Sequence, residues 1–329
     1  MKKRLPIIIL FIFTLLSLTV THIYIYIHTT PDGKNVSKTI IIPKGVSFRW
    51  IAGKLDDEGI IQDTGRFTLL AEFKGVPTKV KAGEYELHTS MLPVKVLERL
   101  LKGNSKEYTV TIPEGYNIYQ IAKLLDDAGL TASEEFIKTA TNKDLTTSLG
   151  IEAKSAEGYL FPDTYRFTKA MGAKGIIRKM VNHFNDIYSR EIETRARDLG
   201  LSREFIVTIA SMIEKEAGVE KEKPLIATVF YNRLKKGMRL ESDPTVIYGI
   251  KDFDGNLKRK DLKTMNPYNT YLLPALPYGP ISNPGRTSLL ATLNPAKEKY
   301  LFFVSRNDGT HQFSNTLREH SKAVRTYQK

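Results

Sequence analysis

Glu214 and Glu216 stand two residues apart near the end of an apolar helical segment, in the run Met212-Ile-Glu-Lys-Glu-Ala-Gly218. Carboxyl groups placed this way can do acid–base chemistry. Burial strips hydration from the charged form, raises the pKa and leaves a proton available near neutral pH. The spacing separates the two acids. Phe205, Ile209, Met212 and Ile213 form an apolar stripe, and Glu216 continues it at i+7, i+4 and i+3 from the last three. Glu214 lies about 200° around the axis from Glu216. Glu216 is therefore the candidate acid, with Glu214 as the fallback. On pattern alone, an ion pair between Glu216 and Lys221 or Arg233 explains the position equally well.

The surrounding elements must hold such an acid in place. Ser202 is the expected N-cap of its helix, which runs to Ala217 and stops at Gly218. A second helix is expected over 224–236, with proline in the tolerated first turn, Asn232 and Arg233 near its end, and Gly237 as its stop. Three loops rich in Pro and Gly follow: Ser242-Asp-Pro-Thr-Val-Ile-Tyr-Gly, Asn266-Pro-Tyr-Asn-Thr-Tyr and Pro277-Tyr-Gly-Pro-Ile-Ser-Asn-Pro-Gly. Their Asn, Ser, Asp and Tyr side chains suit sugar hydroxyl and acetamide groups, and suit well-ordered turns just as well. Upstream, Tyr159-Leu-Phe-Pro-Asp-Thr-Tyr-Arg-Phe reads as a strand and turn whose aromatics either stack on sugars or fill the core. Residues 175–199 read as a helix with one charged, solvated face.

The chain has 329 residues, a formal charge of +13 and no cysteine. Its length calls for two or three folded units. Its basic charge points to anionic surroundings, namely nucleic acid, anionic lipid or an acidic wall polymer. Basic residues are scattered and no nucleic-acid motif is present, so a nucleic-acid partner is not expected. Lys2, Lys3 and Arg4 precede an uncharged run over 5–27, long enough as a helix to reach about 30 Å. This predicts a cytoplasmic stub (1–4), a single-pass membrane anchor (5–27) with Tyr24 and Tyr26 in the interfacial belt, and the bulk of the chain outside the cell membrane.

A polar linker (28–38) leads to an internal repeat. The segment from Ile42, IPKGVSFRWIAGKLDDEGI, matches that from Ile112, IPEGYNIYQIAKLLDDAGL, aligning Pro43 with Pro113, Gly45 with Gly115 and Asp56-Asp57 with Asp126-Asp127. Each copy reads as a strand, a Pro-x-Gly turn and an amphipathic helix closed by Gly59 or Gly129. Between the copies, Gly83-Glu-Tyr-Glu-Leu reads as a strand and 93–101 as a helix. These small α+β modules resemble LysM-like modules, which bind glycans containing N-acetyl sugars. A spacer role fits the same pattern.

The blocks MIEKEAG, FYNRL, MRLESDPTVIYG, YNTY, ISNPG and HQFSNTLREH, with the EGYLFPDTY segment, resemble the MltG (YceG-like) family of membrane-anchored endolytic murein transglycosylases. The resemblance covers nearly the whole chain. It implies an α+β protein with an N-terminal transmembrane helix, LysM-like modules over 39–106 and 107–153, and an α+β catalytic domain over 154–329. It also implies cleavage between N-acetylmuramic acid and N-acetylglucosamine within nascent strands, leaving a 1,6-anhydromuramyl end and terminating elongation. The family's catalytic glutamate, the second acid of its E-K-E motif, falls on Glu216. Asn232, Arg233, Asp243, Tyr248 and Asn269 are the expected substrate-binding residues, each with a capping or turn role as its alternative. Partners implied are peptidoglycan strands, membrane lipid and peptidoglycan synthases.

One carboxyl group suffices for that reaction, which uses no attacking water. Most glycoside hydrolases need a second carboxylate, and Glu157, Glu241 and Asp243 are the available ones. His311 reads as structural. No metal-ligand spacing, phosphate loop or dinucleotide fingerprint is present, so neither metal nor cofactor is expected. The rival functions are a hydrolytic muramidase and a non-catalytic wall-binding scaffold.

Overall fold

The computed structural model describes residues 5–31, 34–103, 106–188 and 190–328. The predicted stub at 1–4, and Asp32 and Gly33 of the linker, lie outside the described residues. The chain is mixed α+β and forms two compact units. One runs up to Tyr108 and includes Arg166–Met171; the other comprises Thr109–Tyr165 and Gly172–Lys329.

The first unit contains α1 (Leu5–His28), β1 (Ser37–Ile42), α2 (Phe48–Asp57), α3 (Thr64–Phe73), β2 (Gly83–His88) and α4 (Pro93–Lys102). Strands β1 and β2 pair antiparallel, from Ser37 opposite His88 to Ile42 opposite Gly83. Their inward residues Ile40, Ile42, Tyr85 and Leu87 pack on Ile51, Leu55 and Phe67. Among the described residues, no helix is long and apolar enough to cross a membrane. At the end of α1, Tyr24 is exposed whereas Tyr26 is buried against the core of this unit.

The second repeat comprises β3 (Tyr108–Thr111), α5 (Ile118–Asp127), α6 (Ser133–Ala140), α7 (Lys143–Ser148) and β4 (Thr164–Phe167), with β3 pairing to β4; all but Tyr108, Arg166 and Phe167 of these elements belong to the larger unit. The two copies thus share a strand followed by two helices and, later, a closing strand that pairs with the first, the second copy adding α7 before that closing strand. The shared residues do the same jobs in each. Ser47 and Asn117 cap α2 and α5, and Gly45 and Gly115 take positive φ at the turns. Asp56 accepts from Thr64 N at 3.3 Å at the start of α3, and Asp126 accepts from Ser133 N at 3.1 Å at the start of α6. The conserved-looking acid of each copy therefore satisfies a helix start that would otherwise carry unpaired N–H groups.

Then come α8 (Gly172–Ile187), α9 (Arg190–Asp198), α10 (Arg203–Glu216), α11 (Lys223–Lys235), α12 (Asp243–Tyr248), α13 (Arg286–Leu293), the hairpin β5 (Phe302–Ser305) and β6 (His311–Ser314), and α14 (Leu317–Tyr327). The single helix expected over 175–199 is divided into α8 and α9. Its apolar side is α8, where Ile176, Ile177, Met180, Val181 and Phe184 are buried. Tyr159, Phe161 and Tyr165 are also buried. Tyr159 meets Phe184 edge to face and the Tyr165 hydroxyl donates to Phe161 O at 2.6 Å, so these aromatics fill the core and face no sugar.

Helix α10 is the axis of this unit. Every residue from Ile206 to Ile213 is buried, so the helix is enclosed all round rather than along one stripe. Each fully buried Ile or Met contributes about 1.5–3 kcal/mol, which fixes where the helix ends.

Candidate active site

The side chain of Ser202 accepts from Phe205 N at 3.1 Å and starts α10, which ends at Glu216 with Ala217 as its cap. Beyond it the chain makes a close approach. A Cβ on Gly218 would lie 2.2 Å from Gly309 O, in the turn between β5 and β6. Glycine there lets the hairpin come down beside the helix end. Phe303 and Val304 from β5, with Arg233, Glu241, Asp243 and Tyr271, line a cavity of about 380 Å³ around Glu216.

Glu216 is half-buried at the wall of this cavity. Burial pushes its pKa up to about 7; the neighbouring Asp243 charge adds to the rise, while the Ser242 hydrogen bond and Arg233 oppose it. The Ser242 hydroxyl donates to Glu216 Oε1 at 2.5 Å. Ser242 is itself locked, its N–H donating to Thr270 Oγ1 at 3.0 Å and its carbonyl accepting from Thr245 Oγ1 at 2.6 Å. With Oε1 so engaged, Oε2 is the oxygen on which a transferable proton would sit. Among the described residues, Glu216 forms no ion pair, so the expected alternative of a bridge to Lys221 or Arg233 does not form.

Glu214 has the opposite fate. Its carboxylate meets Lys223 Nζ at 3.0 Å and accepts from Gly285 N at 2.9 Å and Ser288 Oγ at 2.7 Å. A buried carboxylate so saturated ties α10 to α11 and α13 and has no capacity left for substrate.

The other expected residues divide. Asp243 lies in the cavity, accepting from the Tyr271 hydroxyl at 2.6 Å. Arg233 lines the cavity but is spent on structure: Nε donates to Leu301 O at 2.7 Å and Nη1 to Leu240 O at 2.9 Å, with Glu241 Oε2 at 3.2 Å. Burial lowers its pKa. Asn232 is away from the cavity, its amide donating to Glu298 O and Tyr300 O at 3.1 and 2.9 Å. Asn269 is fully buried and donates to Leu262 O and Thr264 O at 3.1 and 2.8 Å, the turn role left open for it. Tyr248 sits at the far end of α12 from Asp243 and donates to Glu157 Oε2 at 2.9 Å.

Of the possible second carboxylates, Glu157 is buried apart from the cavity, accepting from Ile118 N and Asn283 Nδ2 at 3.0 Å each, with its pKa pushed up to about 7 by burial. Glu241 and Asp243 line the cavity itself. Glu241 also carries a φ of 49°, the left-handed region where a side chain is strained and where functional residues are often held. His311 lines the cavity edge and bonds Glu222 Oε2 at 2.8 Å through Nδ1. Two cavity groups, Tyr271 and His320, were not singled out from the sequence, nor was Ser242 as the partner of the acid. Ser242 and Tyr271 lie in the quoted SDPTVIYG and YNTY blocks, which was their available signal. Among the described residues, no cluster of three or more His, Asp or Glu side chains could hold a metal ion.

A family model described as "YceG-like family" matches residues 40–326. The endolytic murein transglycosylase of Bacillus subtilis is 33% identical over 310 residues, covering 88% of this chain and 86% of that protein. Its namesake in Streptococcus pneumoniae is 30% identical over 318 residues, covering 87% of this chain but 57% of that longer protein. In a 2.6 Å crystal structure, a YceG-like protein of Listeria monocytogenes superposes with a TM-score of 0.60 at 34% identity, covering 87% of this chain and 98% of that one.

Proposed function

The chain belongs to the YceG-like family, and from that membership together with the Glu216 cavity we propose that it is an endolytic murein transglycosylase, cutting the bond between N-acetylmuramic acid and N-acetylglucosamine within a glycan strand. The observation that carries the chemistry is the setting of Glu216, a carboxyl group with a pKa near 7 in the lining of the cavity, one of its oxygens held by Ser242.

Protonated Glu216 gives its proton to the glycosidic oxygen as that oxygen leaves C1 of the muramic acid. The resulting carboxylate then takes the proton of the C6 hydroxyl as O6 bonds to C1. The products are a 1,6-anhydromuramyl end and a new free 4-hydroxyl, and Glu216 returns to its protonated form. Positive charge builds at C1 during the step. Asp243 and Glu241 line the same cavity and stabilise it, a through-space effect strengthened where water is displaced. Asp243 is oriented by Tyr271 for that role.

Those two carboxylates also favour a second reading, a hydrolytic muramidase in which one of them activates water. Weighing the products of uncrosslinked strands decides between the readings, because anhydro ends are lighter than reducing ends by one water. Reducing ends throughout would overturn the transglycosylase reading. Full cleavage by Glu216→Gln would overturn the assignment of the acid.

The wider arrangement belongs to the same proposal. The uncharged run over 5–27 of the sequence, with Lys2, Lys3 and Arg4 before it, supports a single-pass anchor in the cell membrane with the remainder outside. The strand and two following helices that the two copies share support LysM-like glycan binding over 39–106 and 107–153. A cutter that stops growing strands would work beside peptidoglycan synthases. Protease protection of the full chain in sealed vesicles tests the orientation.

A further inference from the structure

Four tyrosines from separate parts of the larger unit meet in a row. Tyr119, on α5, lies 6.4 Å from Tyr248 between ring centroids; Tyr248 lies 4.7 Å from Tyr268, and Tyr268 lies 6.3 Å from Tyr278. The middle two rings pack on the core beneath α10. The outer two do not. Tyr119 is 55% exposed and Tyr278 is 49% exposed, and an exposed aromatic contributes little to the core. The row is also held still, since Tyr248 is anchored through its hydroxyl to the buried Glu157. Lys154 places its ammonium 4.0 Å from the centroid of Tyr278 and, among the described residues, forms no ion pair.

The position of the row relates it to the cavity. Helix α12 begins at Asp243, in the Glu216 cavity, and ends at Tyr248, in the row. Five helical steps carry the chain about 8 Å. An occupant of the cavity long enough to extend along α12 therefore reaches the rings. Tyrosine suits such an occupant when its surface alternates C–H faces with hydroxyl groups, because the ring packs on the first and the phenol bonds the second.

We propose that Tyr119 and Tyr278, the exposed ends of this row, stack on the glycan strand beyond the cleaved bond, buttressed by Tyr248 and Tyr268 between them, with Lys154 receiving an anionic substituent of that strand. This rests on the glycan-cleaving reading of the Glu216 cavity and adds to it a second place of contact, which lets an enzyme that cuts inside strands prefer long ones over short ones.

The test uses the full chain in detergent, carrying Glu216→Gln so that strands stay whole, titrated with uncrosslinked glycan strands of graded length. Tyr119→Ala and Tyr278→Ala each weaken binding of long strands by roughly three- to tenfold, with a loss that grows with strand length, while unfolding midpoints stay those of the parent. Lys154→Ala weakens binding to strands bearing free carboxylates more than binding to neutral chitin oligomers. If both tyrosine variants bind every length as tightly as the parent, the platform is overturned while anhydro products from the unsubstituted enzyme still uphold the cavity reading. Length-dependent losses with only reducing-end products would keep the platform and remove the transglycosylase reading. Failure of the parent to bind strands at all overturns both.

Discussion

The hydroxyl of Ser242 donates to Glu216 Oε1 at 2.5 Å, so among the described residues the acid is oriented by a neutral donor and forms no ion pair. A lysine in that place would hold the carboxyl ionised at neutral pH. A hydroxyl orients it and lowers its pKa only in part, leaving burial to dominate.

Removal of that hydroxyl should therefore act on both orientation and protonation. Ser242→Ala is expected to cut kcat/KM by about tenfold or more through lost positioning, and to move the alkaline limb of the rate profile to higher pH. Rate profiles of both proteins on uncrosslinked strands check this. An unmoved limb would mean that Ser242 does not touch the titrating form of Glu216.

For the unsubstituted enzyme, kcat/KM should be level below about pH 7 and fall tenfold per unit above it, since only protonated Glu216 starts the reaction. Glu216→Gln should lose about a hundredfold to ten-thousandfold in rate.

The same group makes stability depend on pH. Folded Glu216 keeps its proton up to about pH 7, whereas in the unfolded chain it releases it near the ordinary value of 4.5. The folded state thus binds more protons in that window, and its stability falls as pH rises from about 4.5 to 7. Glu216→Gln lacks this term, and should gain on the parent across the window by up to about 3 kcal/mol. Denaturant titrations at pH 4.5 and 8 measure the difference, and an equal gap at both would contradict it.

Glu214 should respond in the opposite manner. Glu214→Ala leaves Lys223 buried without its main partner, and is expected to destabilise the protein by about 3–5 kcal/mol. Whatever protein remains folded should still give anhydro ends. A folded, stable variant that has lost catalysis would instead assign chemistry to Glu214.

Gly218→Ala would place a methyl group against Gly309 O and force the β5–β6 hairpin away from the end of α10. About 1–3 kcal/mol of stability should be lost, together with activity, because the hairpin forms one wall of the cavity. Gly309→Ala meets no neighbouring atom and instead strains the turn through its φ of 85°, so it separates backbone strain from the steric contact.

How far the sequence could be read depended on the distance over which each residue acts. The burial of Glu216 was legible because its apolar neighbours lie within three turns of one helix, and Ser202, Gly59 and Gly129 were legible because caps are local. Asn232 and Asn269 looked like ligands because a free amide looks the same in sequence whether it meets a sugar or a carbonyl. Asn232 finds its carbonyls at Glu298 and Tyr300, at the other end of the unit. The repeated Asp-Asp was visible as a match, but its capping of the next helix became visible only once Thr64 and Ser133 were folded back onto it. Tyr159, Phe161 and Tyr165 were undecidable because aromatic composition is the same in a core and in a groove.

The side chain of Asn283 reaches from the ISNPG turn to three parts of the chain: it accepts from Leu160 N at 2.8 Å and donates to Tyr116 O and to Glu157 at 2.9 and 3.0 Å. Such a knot makes three stretches far apart in the chain answerable to one amide. Exchanging Asn283 for a residue without both a donor and an acceptor would leave the Leu160 N–H, the Tyr116 carbonyl and the buried Glu157 each short of a partner at once.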